Sequence, residues 1–286
     1  MSEETEMAGE ASVVTVNVAD NIAWVSLNRP DKRNAMNPIL NREMMGVLDA
    51  LEFRDDVGIL VLTGEGPAWS AGMDLKEYFR EAEARGLGGT RQAQREAYGW
   101  WQRLRRFQKP TIAMVNGWCF GGAYGPLFAC DLAYAADEAQ FGLSEVNWGI
   151  LPGGGAAKVA YDLMPFRKAM FHALTGQNID GRTAAEWGLV NESVPLASLR
   201  EHVEGVARLL LEKNGLTLTA IKKAMRKMGE MTFESAEEYL VLAQESLSFH
   251  DRQSRHEGIR QFIDEKSYKP GLGAFDKARS RDETAG

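Results

Sequence analysis

The chain has 286 residues, 44% of them hydrophobic, enough to bury one large core near the upper size limit for a single domain. Its 33 basic and 40 acidic residues give a net charge of −7, so no overall positive field exists to hold a phosphate backbone, which disfavours a dedicated nucleic-acid binder. Only Cys119 and Cys130 are present, both in apolar sequence; they are too few for a disulfide framework and fit buried, reduced thiols in a cytoplasmic protein.

Met1 to Glu10 is acidic and polar, without the basic start and apolar stretch of a secretory signal, and residues 1–11 read as a disordered tail. Two β-rich runs follow, Val13 to Val18 and Ile22 to Leu27, with a hairpin turn at Asp20-Asn21. Asn37-Pro38 starts a helix in which Leu40, Met44, Val47, Leu48 and Leu51 recur at helical spacing to about Glu52. An apolar strand, Gly58 to Thr63, leads into the glycine loop Gly64-Glu65-Gly66. Two charged helices, Leu75 to Ala84 and Arg91 to Arg106, are separated by a flexible break at Arg85-Gly86-Leu87-Gly88-Gly89.

The longest uncharged stretch, Pro110 to Cys130, is interrupted by Asn116, Gly117, Gly121, Gly122, Gly125 and Pro126, so it reads as a buried strand, turn and helix rather than a membrane span. The strand Thr111 to Val115, the helix Gly121 to Cys130 and a further strand Asp131 to Ala135 repeat the earlier order. Such alternation predicts parallel pairing and an α/β class. Past Pro165 the sequence reads as helices: Phe166 to Leu174, Thr183 to Trp187, Leu199 to Glu212, Thr219 to Met228, Ser235 to Leu247 and Arg252 to Glu265. These predict a helical C-terminal third packed on a sheeted core, ending in a flexible tail over 277–286.

Gly121-Gly122 follows a strand and opens a helix, where free N–H groups attract negative charge. Alone, the pair is equally a close helix-to-sheet contact. Ser70-Ala71-Gly72-Met73-Asp74-Leu75 makes a second turn of the same kind, and two such turns can bring two N–H groups together as an oxyanion hole. Glu145 lies in the nearly uncharged stretch Phe141 to Gly149, where partial burial would raise its pKa and suit proton transfer; a structural ion pair is the other reading. His172, His202, His250 and His256 have no metal-ligand spacing, so no metal is expected. Ser70 lacks the glycine setting of a nucleophile elbow, and Pro152-Gly153-Gly154-Gly155 lacks the ending of a phosphate loop.

These residues resemble the crotonase, or enoyl-CoA hydratase/isomerase, superfamily from about Val13 to Asp276. The resemblance rests on Leu27-Asn28-Arg29-Pro30-Asp31-Lys32-Arg33-Asn34-Ala35-Met36, Ser70 to Asp74, Val115-Asn116-Gly117 with Gly121-Gly122, and Gly149 to Gly154. Within it, Gly72 to Glu81, Asn116 to Gly122, Gly142 to Ile150 and Ser267-Tyr268-Lys269-Pro270-Gly271-Leu272 look like the hydroxycinnamoyl-CoA hydratase-lyase branch. That branch converts feruloyl-, caffeoyl- or p-coumaroyl-CoA to an aromatic aldehyde and acetyl-CoA.

The resemblance implies a spiral of repeated β-β-α units over 12–195 and a helical trimerisation region over 196–276, assembled as a homotrimer or a dimer of trimers. It places oxyanion-hole N–H groups at Met73 and Gly122 and the acid/base at Glu145. It lays the acyl-CoA substrate along Lys32, Ala71, Met73 and Leu75, with Tyr78, Gly125, Trp148 and Tyr239 toward the acyl end. No cofactor is implied, since coenzyme A is part of the substrate. Ordinary hydratases carry a second glutamate where this chain has Gly125, and the lyases a hydroxyl residue; the expectation is that Gly125 leaves room for a water beside Glu145. The lyase pattern also carries a tyrosine, contributed by a neighbouring subunit, where this chain has Val241. An enoyl-CoA hydratase or isomerase for another acyl-CoA is the alternative, and a non-catalytic or RNA-binding homologue a more distant one.

Overall fold

The computed structural model describes residues 12–269 and 273–280. The segment 1–11, expected to be disordered, lies outside the described residues, as do Pro270-Gly271-Leu272 and 281–286. Strands β1 (Val14–Ala19) and β2 (Ile22–Leu27) pair antiparallel through Asp20 and Asn21, both at positive φ, as a two-residue hairpin turn requires. Helix α1 (Pro38–Glu52) is capped by the Asn37 side chain, which accepts the Leu40 N–H, and buries Leu40, Met44, Leu48 and Leu51 along one face.

The chain then alternates a long buried strand, a short strand and a helical segment. First come β3 (Ile59–Gly64), β4 (Ala68–Ser70), a π-helical turn over Leu75–Arg80, α2 (Glu81–Ala84) and α3 (Gly86–Arg105). Next are β5 (Thr111–Val115), β6 (Trp118–Phe120), a 3-10 turn over Gly121–Ala123 and α4 (Tyr124–Ala129). The third unit is β7 (Leu132–Ala136), β8 (Gln140–Gly142), a 3-10 turn over Ser144–Trp148 and α5 (Ala156–Leu163). Then come α6 (Phe166–Thr175), β9 (Ile179–Asp180), α7 (Gly181–Glu186), β10 (Glu192–Val194) and the helices α8 (Leu196–Leu211), α9 (Gly215–Met228), α10 (Phe233–His250) and α11 (Arg252–Ile263).

The long strands form one sheet in the order β1-β2-β3-β5-β7-β10, parallel from β2 onward, and the short ones a second sheet, β4-β6-β8-β9. This is the expected β-β-α repetition. Every residue of β3 and β5 is buried, as central strands of a covered parallel sheet must be. Each unit ends its short strand in a turn, and the turns after β4, β6 and β8 carry the candidate site.

Three expectations are corrected. The break between the two helices is shorter than expected: the chain turns at Arg85 and at Gly86, whose φ is +72°, but Gly88 and Gly89 already lie in the first turn of α3, whose buried Ala93, Ala97, Trp100 and Leu104 pack at helical spacing, so tertiary burial outweighs glycine's weak propensity there. The described part of the expected flexible tail is held in place: Lys277–Ser280 forms a 3-10 turn, Lys277 Nζ donates to the carbonyls of Leu211 and Lys213, and Arg279 pairs with Glu265 at 2.9 Å. The C-terminal helices also do not all lie on the sheet. Helix α8 buries Leu199, Val203 and Ala207, and α9 is tied down by Lys222 and Arg226 on Asp131, each at 2.7 Å. Helix α10 packs on α9 and α11 and has no buried residue, leaving Leu240, Val241, Leu242 and Phe249 exposed. Among the described residues no helix is long and apolar enough to cross a membrane.

Candidate active site

The turn after β4 is held from both sides. Ser70 Oγ donates to the Asn34 carbonyl at 2.8 Å and accepts the Gly72 N–H, which makes it a strut rather than a nucleophile. Met36 N–H donates to Gly72 O at 2.7 Å and Asp74 N–H to Met36 O at 3.0 Å, a parallel bridge. In that pattern the groups flanking Met73 face Met36, so Met73's own N–H points the other way. Arg29 donates to Asp74 at 3.0 Å and to Glu77 at 2.9 Å, while Asp74 accepts the Lys76 and Glu77 N–H groups at the start of the π-helical turn. Burial alone would raise the Asp74 pKa, but these hydrogen bonds and the guanidinium outweigh it and hold the carboxyl below its ordinary value.

Two backbone turns meet at Gly72. Its φ is +89°, and a Cβ there would lie 2.4 Å from Phe120 O and 3.1 Å from Gly122 N, so only glycine permits the approach. Gly122 lies in the first turn of the short helix after β6, where N–H groups have no helical acceptor. A Cβ on Gly122 would lie 3.4 Å from Met73 N, so the Met73 and Gly122 amides are neighbours, as an oxyanion hole needs.

Glu145 comes from the turn after β8. A Cβ added to Gly121 would meet Glu145 Oε1 at 2.9 Å, which seats the carboxylate directly over this glycine turn. Its Oε2 is buried with no hydrogen-bond partner among the described residues, and burial raises its pKa above the ordinary glutamate value. The ion pair considered for Glu145 is not formed among the described residues. Behind the site, Tyr124 donates to His172 Nε2 at 2.8 Å and His172 Nδ1–H donates to the Gln177 carbonyl at 2.9 Å, so the buried imidazole is used structurally in its neutral form.

A cavity of about 550 Å³ joins these groups. Of the expected residues, Ala71, Met73, Leu75, Tyr78, Gly122, Glu145 and Trp148 line it, with Trp148 largely exposed at the mouth. Lys32 does not: it is exposed, and its neighbour Arg33 reaches the cavity instead, its guanidinium 4.2 Å from the centre of the Trp118 ring. Tyr239, on α10, is not among the lining residues of its own chain.

Gly125 requires a larger correction. It lines not this cavity but an adjoining one, with Trp101 and Gly154, and it does not open space for water beside Glu145, because a Cβ there would lie 2.6 Å from Trp101 Cε3 and 2.8 Å from two further indole atoms. The ring of Trp101, on α3, fills the space. Trp101 and Tyr98 both line this cavity and were not anticipated; with Thr90 and Gln94 they form one face of α3 at spacings of three and four residues, the signal that could have found them. Gly125→Ser is accordingly expected to lower stability by about 1–3 kcal/mol, since the serine must displace a packed indole. Thermal unfolding of Gly125→Ser, alone and combined with Trp101→Leu, checks this: the second change relieves part of the loss, and an unaltered melting temperature in the single variant would show that the indole yields freely.

The chain matches the family model described as enoyl-CoA hydratase/isomerase over residues 17–270 and belongs to that family. It is 52% identical over 93% of its length, and 98% of the relative's, to a hydroxycinnamoyl-CoA hydratase-lyase of Pseudomonas fluorescens. It is 30% identical, over 90% of its length and 97% of the relative's, to a 2,3-dehydroadipyl-CoA hydratase of Escherichia coli (strain K12). Among solved structures it is similar to an enoyl-CoA hydratase from Bacillus anthracis, with a TM-score of 0.81 and 25% identity over 92% of this chain and 99% of the other.

Proposed function

We propose that the chain is a hydratase-lyase acting on hydroxycinnamoyl-CoA thioesters such as feruloyl-, caffeoyl- and p-coumaroyl-CoA. The observation that carries this reading is a buried carboxylate oxygen of Glu145 without a partner, seated beside two adjacent backbone N–H groups in a chain half identical to a relative of that activity. The Met73 and Gly122 N–H groups donate to the thioester oxygen and stabilise the negative charge it gains. Ionised Glu145 takes a proton from water as the hydroxyl adds to the β-carbon, and the acid so formed returns a proton to the α-carbon. In the second stage Glu145 removes the β-hydroxyl proton, the electron pair of the Cα–Cβ bond moves into an enolate held by the same N–H groups, and the aldehyde leaves. Protonation of that enolate by Glu145 completes acetyl-CoA. Each step closes on a carboxylate, two N–H groups and water, so the scheme uses no metal or redox cofactor.

The coenzyme A arm lies along Ala71, Met73 and Leu75, with Lys32 and Arg33 supplying positive charge at the outer end. The absence of a carboxylate at position 125 and the indole packed there separate the site from a two-glutamate hydratase. Assembly as a trimer, or a pair of trimers, is supported by α10, an 18-residue helix with an apolar surface and no buried residue, and would bring Tyr239 to a neighbouring cavity. Cys119 and Cys130 are unpaired and buried, which supports a reducing, cytoplasmic setting. The deciding experiment is incubation with feruloyl-CoA, from which vanillin and acetyl-CoA are expected in equal amounts. Accumulation of the β-hydroxyacyl-CoA without aldehyde would remove the lyase step and leave a hydratase.

A further inference from the structure

The cavity contains two phenols, one of which the sequence motifs do not point to. Tyr78 enters from the π-helical turn after β4, packed edge-on against Phe79 at 4.9 Å. Tyr98 enters from α3, packed on the Trp101 indole at 5.3 Å with the rings tilted by 41°. Among the described residues neither hydroxyl has a hydrogen-bond partner, although Tyr78 is 7% exposed and Tyr98 half-buried. Two phenols held by their rings, with their hydroxyl groups left unused by the protein, are available to a ligand.

We infer that Tyr98 is a specificity-determining residue which, with Tyr78, holds the 4-hydroxyl of the substrate ring from within a single chain. A phenol both donates and accepts a hydrogen bond, so one tyrosine hydroxyl meets one of these roles and a second meets the other. Burial, and secondarily the proximity of Tyr98, push the Tyr78 pKa up to about 12, so at neutral pH Tyr78 keeps its proton and can donate it. The tyrosine that the lyase pattern takes from a neighbouring subunit is Val241 here, and Tyr98 supplies a second phenol without requiring the neighbour. This inference rests on the proposed aromatic substrate.

The test uses Tyr98→Phe, which keeps the ring and its packing on Trp101 and removes only the hydroxyl. In a Glu145→Gln background, which prevents turnover, Kd is measured for feruloyl-CoA and for cinnamoyl-CoA, which lacks the 4-hydroxyl. Tyr98→Phe is expected to weaken feruloyl-CoA about 5- to 10-fold, the worth of one net hydrogen bond, and to leave cinnamoyl-CoA unchanged. Tyr78→Phe gives the same selective loss, and the double variant binds the two thioesters nearly equally. If Tyr98→Phe leaves the ratio of the two Kd values unchanged, or weakens both equally, the inference is overturned. A wild-type enzyme that makes no vanillin, but whose preference for the hydroxylated ring still falls in Tyr98→Phe, would instead refute the lyase reading and retain the role of Tyr98.

Discussion

Glu145→Gln is expected to reduce both hydration and cleavage of feruloyl-CoA by at least ~10³-fold while changing its Kd little, because one carboxylate carries every proton transfer in the scheme. The amide keeps the size of the side chain over Gly121 but cannot exchange protons as a carboxylate does. Comparable turnover in the variant would move the acid/base role elsewhere in the cavity. The same side chain sets the pH behaviour. Burial raises its pKa above the ordinary 4.5, so kcat/KM for the wild type should fall with decreasing pH along a limb displaced upward from that value.

Stability moves in the opposite sense. With the folded-state pKa above the unfolded one, the stability contribution of Glu145 is intact below the unfolded value and is lost as pH rises through the folded value, because the unfolded chain ionises more readily. At neutral pH the charged carboxylate, with its Oε2 buried and unpartnered among the described residues, therefore destabilises the fold. Glu145→Gln should melt at least as high as the wild type at pH 7 and lose this advantage at acid pH, a comparison that calorimetry at both conditions reads directly. A lower melting temperature at pH 7 would mean that the carboxylate has a stabilising partner.

Gly72→Ala is expected to lower kcat by ~10²- to 10³-fold, the usual consequence of losing an oxyanion donor, although residue 72 donates nothing to the thioester in this scheme. The added methyl group would lie 2.4 Å from Phe120 O at a backbone φ of +89°, so the turn carrying Met73 must retreat from the turn carrying Gly122. Positive φ with a Cβ and the backbone clash together should cost about 1–3 kcal/mol of stability. Activity is therefore measured well below the variant's melting temperature, where the folded fraction is complete. Retention of kcat in the folded variant would show that the two amides need not stay as close as they stand here. Asp74→Asn provides a graded comparison: it weakens the Arg29 contact but leaves the backbone path of Gly72 intact, so its loss should be smaller.

Elements whose causes are local were legible in the chain before folding. The continuous β-rich and apolar character of Ile22 to Leu27 and Ile59 to Thr63, the hairpin at Asp20-Asn21 and the apolar stripe of α1 could each be read from a few adjacent residues. The glycine turns at Gly72 and Gly121 were equally legible, because a strand that ends in such a turn exposes amides wherever it occurs, and the uncharged setting of Glu145 already implied burial. Tertiary structure decided what faces what. Only the packing of α3 against α4 showed that an indole fills the space at Gly125 and that Tyr98 stands in the same cavity as Tyr78, and only the folded path of the loop after β2 showed that Arg33 rather than Lys32 lines its wall. The break at Gly86 was legible, but Gly88 and Gly89 belong to α3 for the same reason: local propensity opposes a helix there, while burial of the α3 face against the core favours one. Propensity and turn chemistry act over a few residues and leave a trace in every window of sequence, whereas steric exclusion between segments far apart in the chain depends on distances that come into being only when those segments pack.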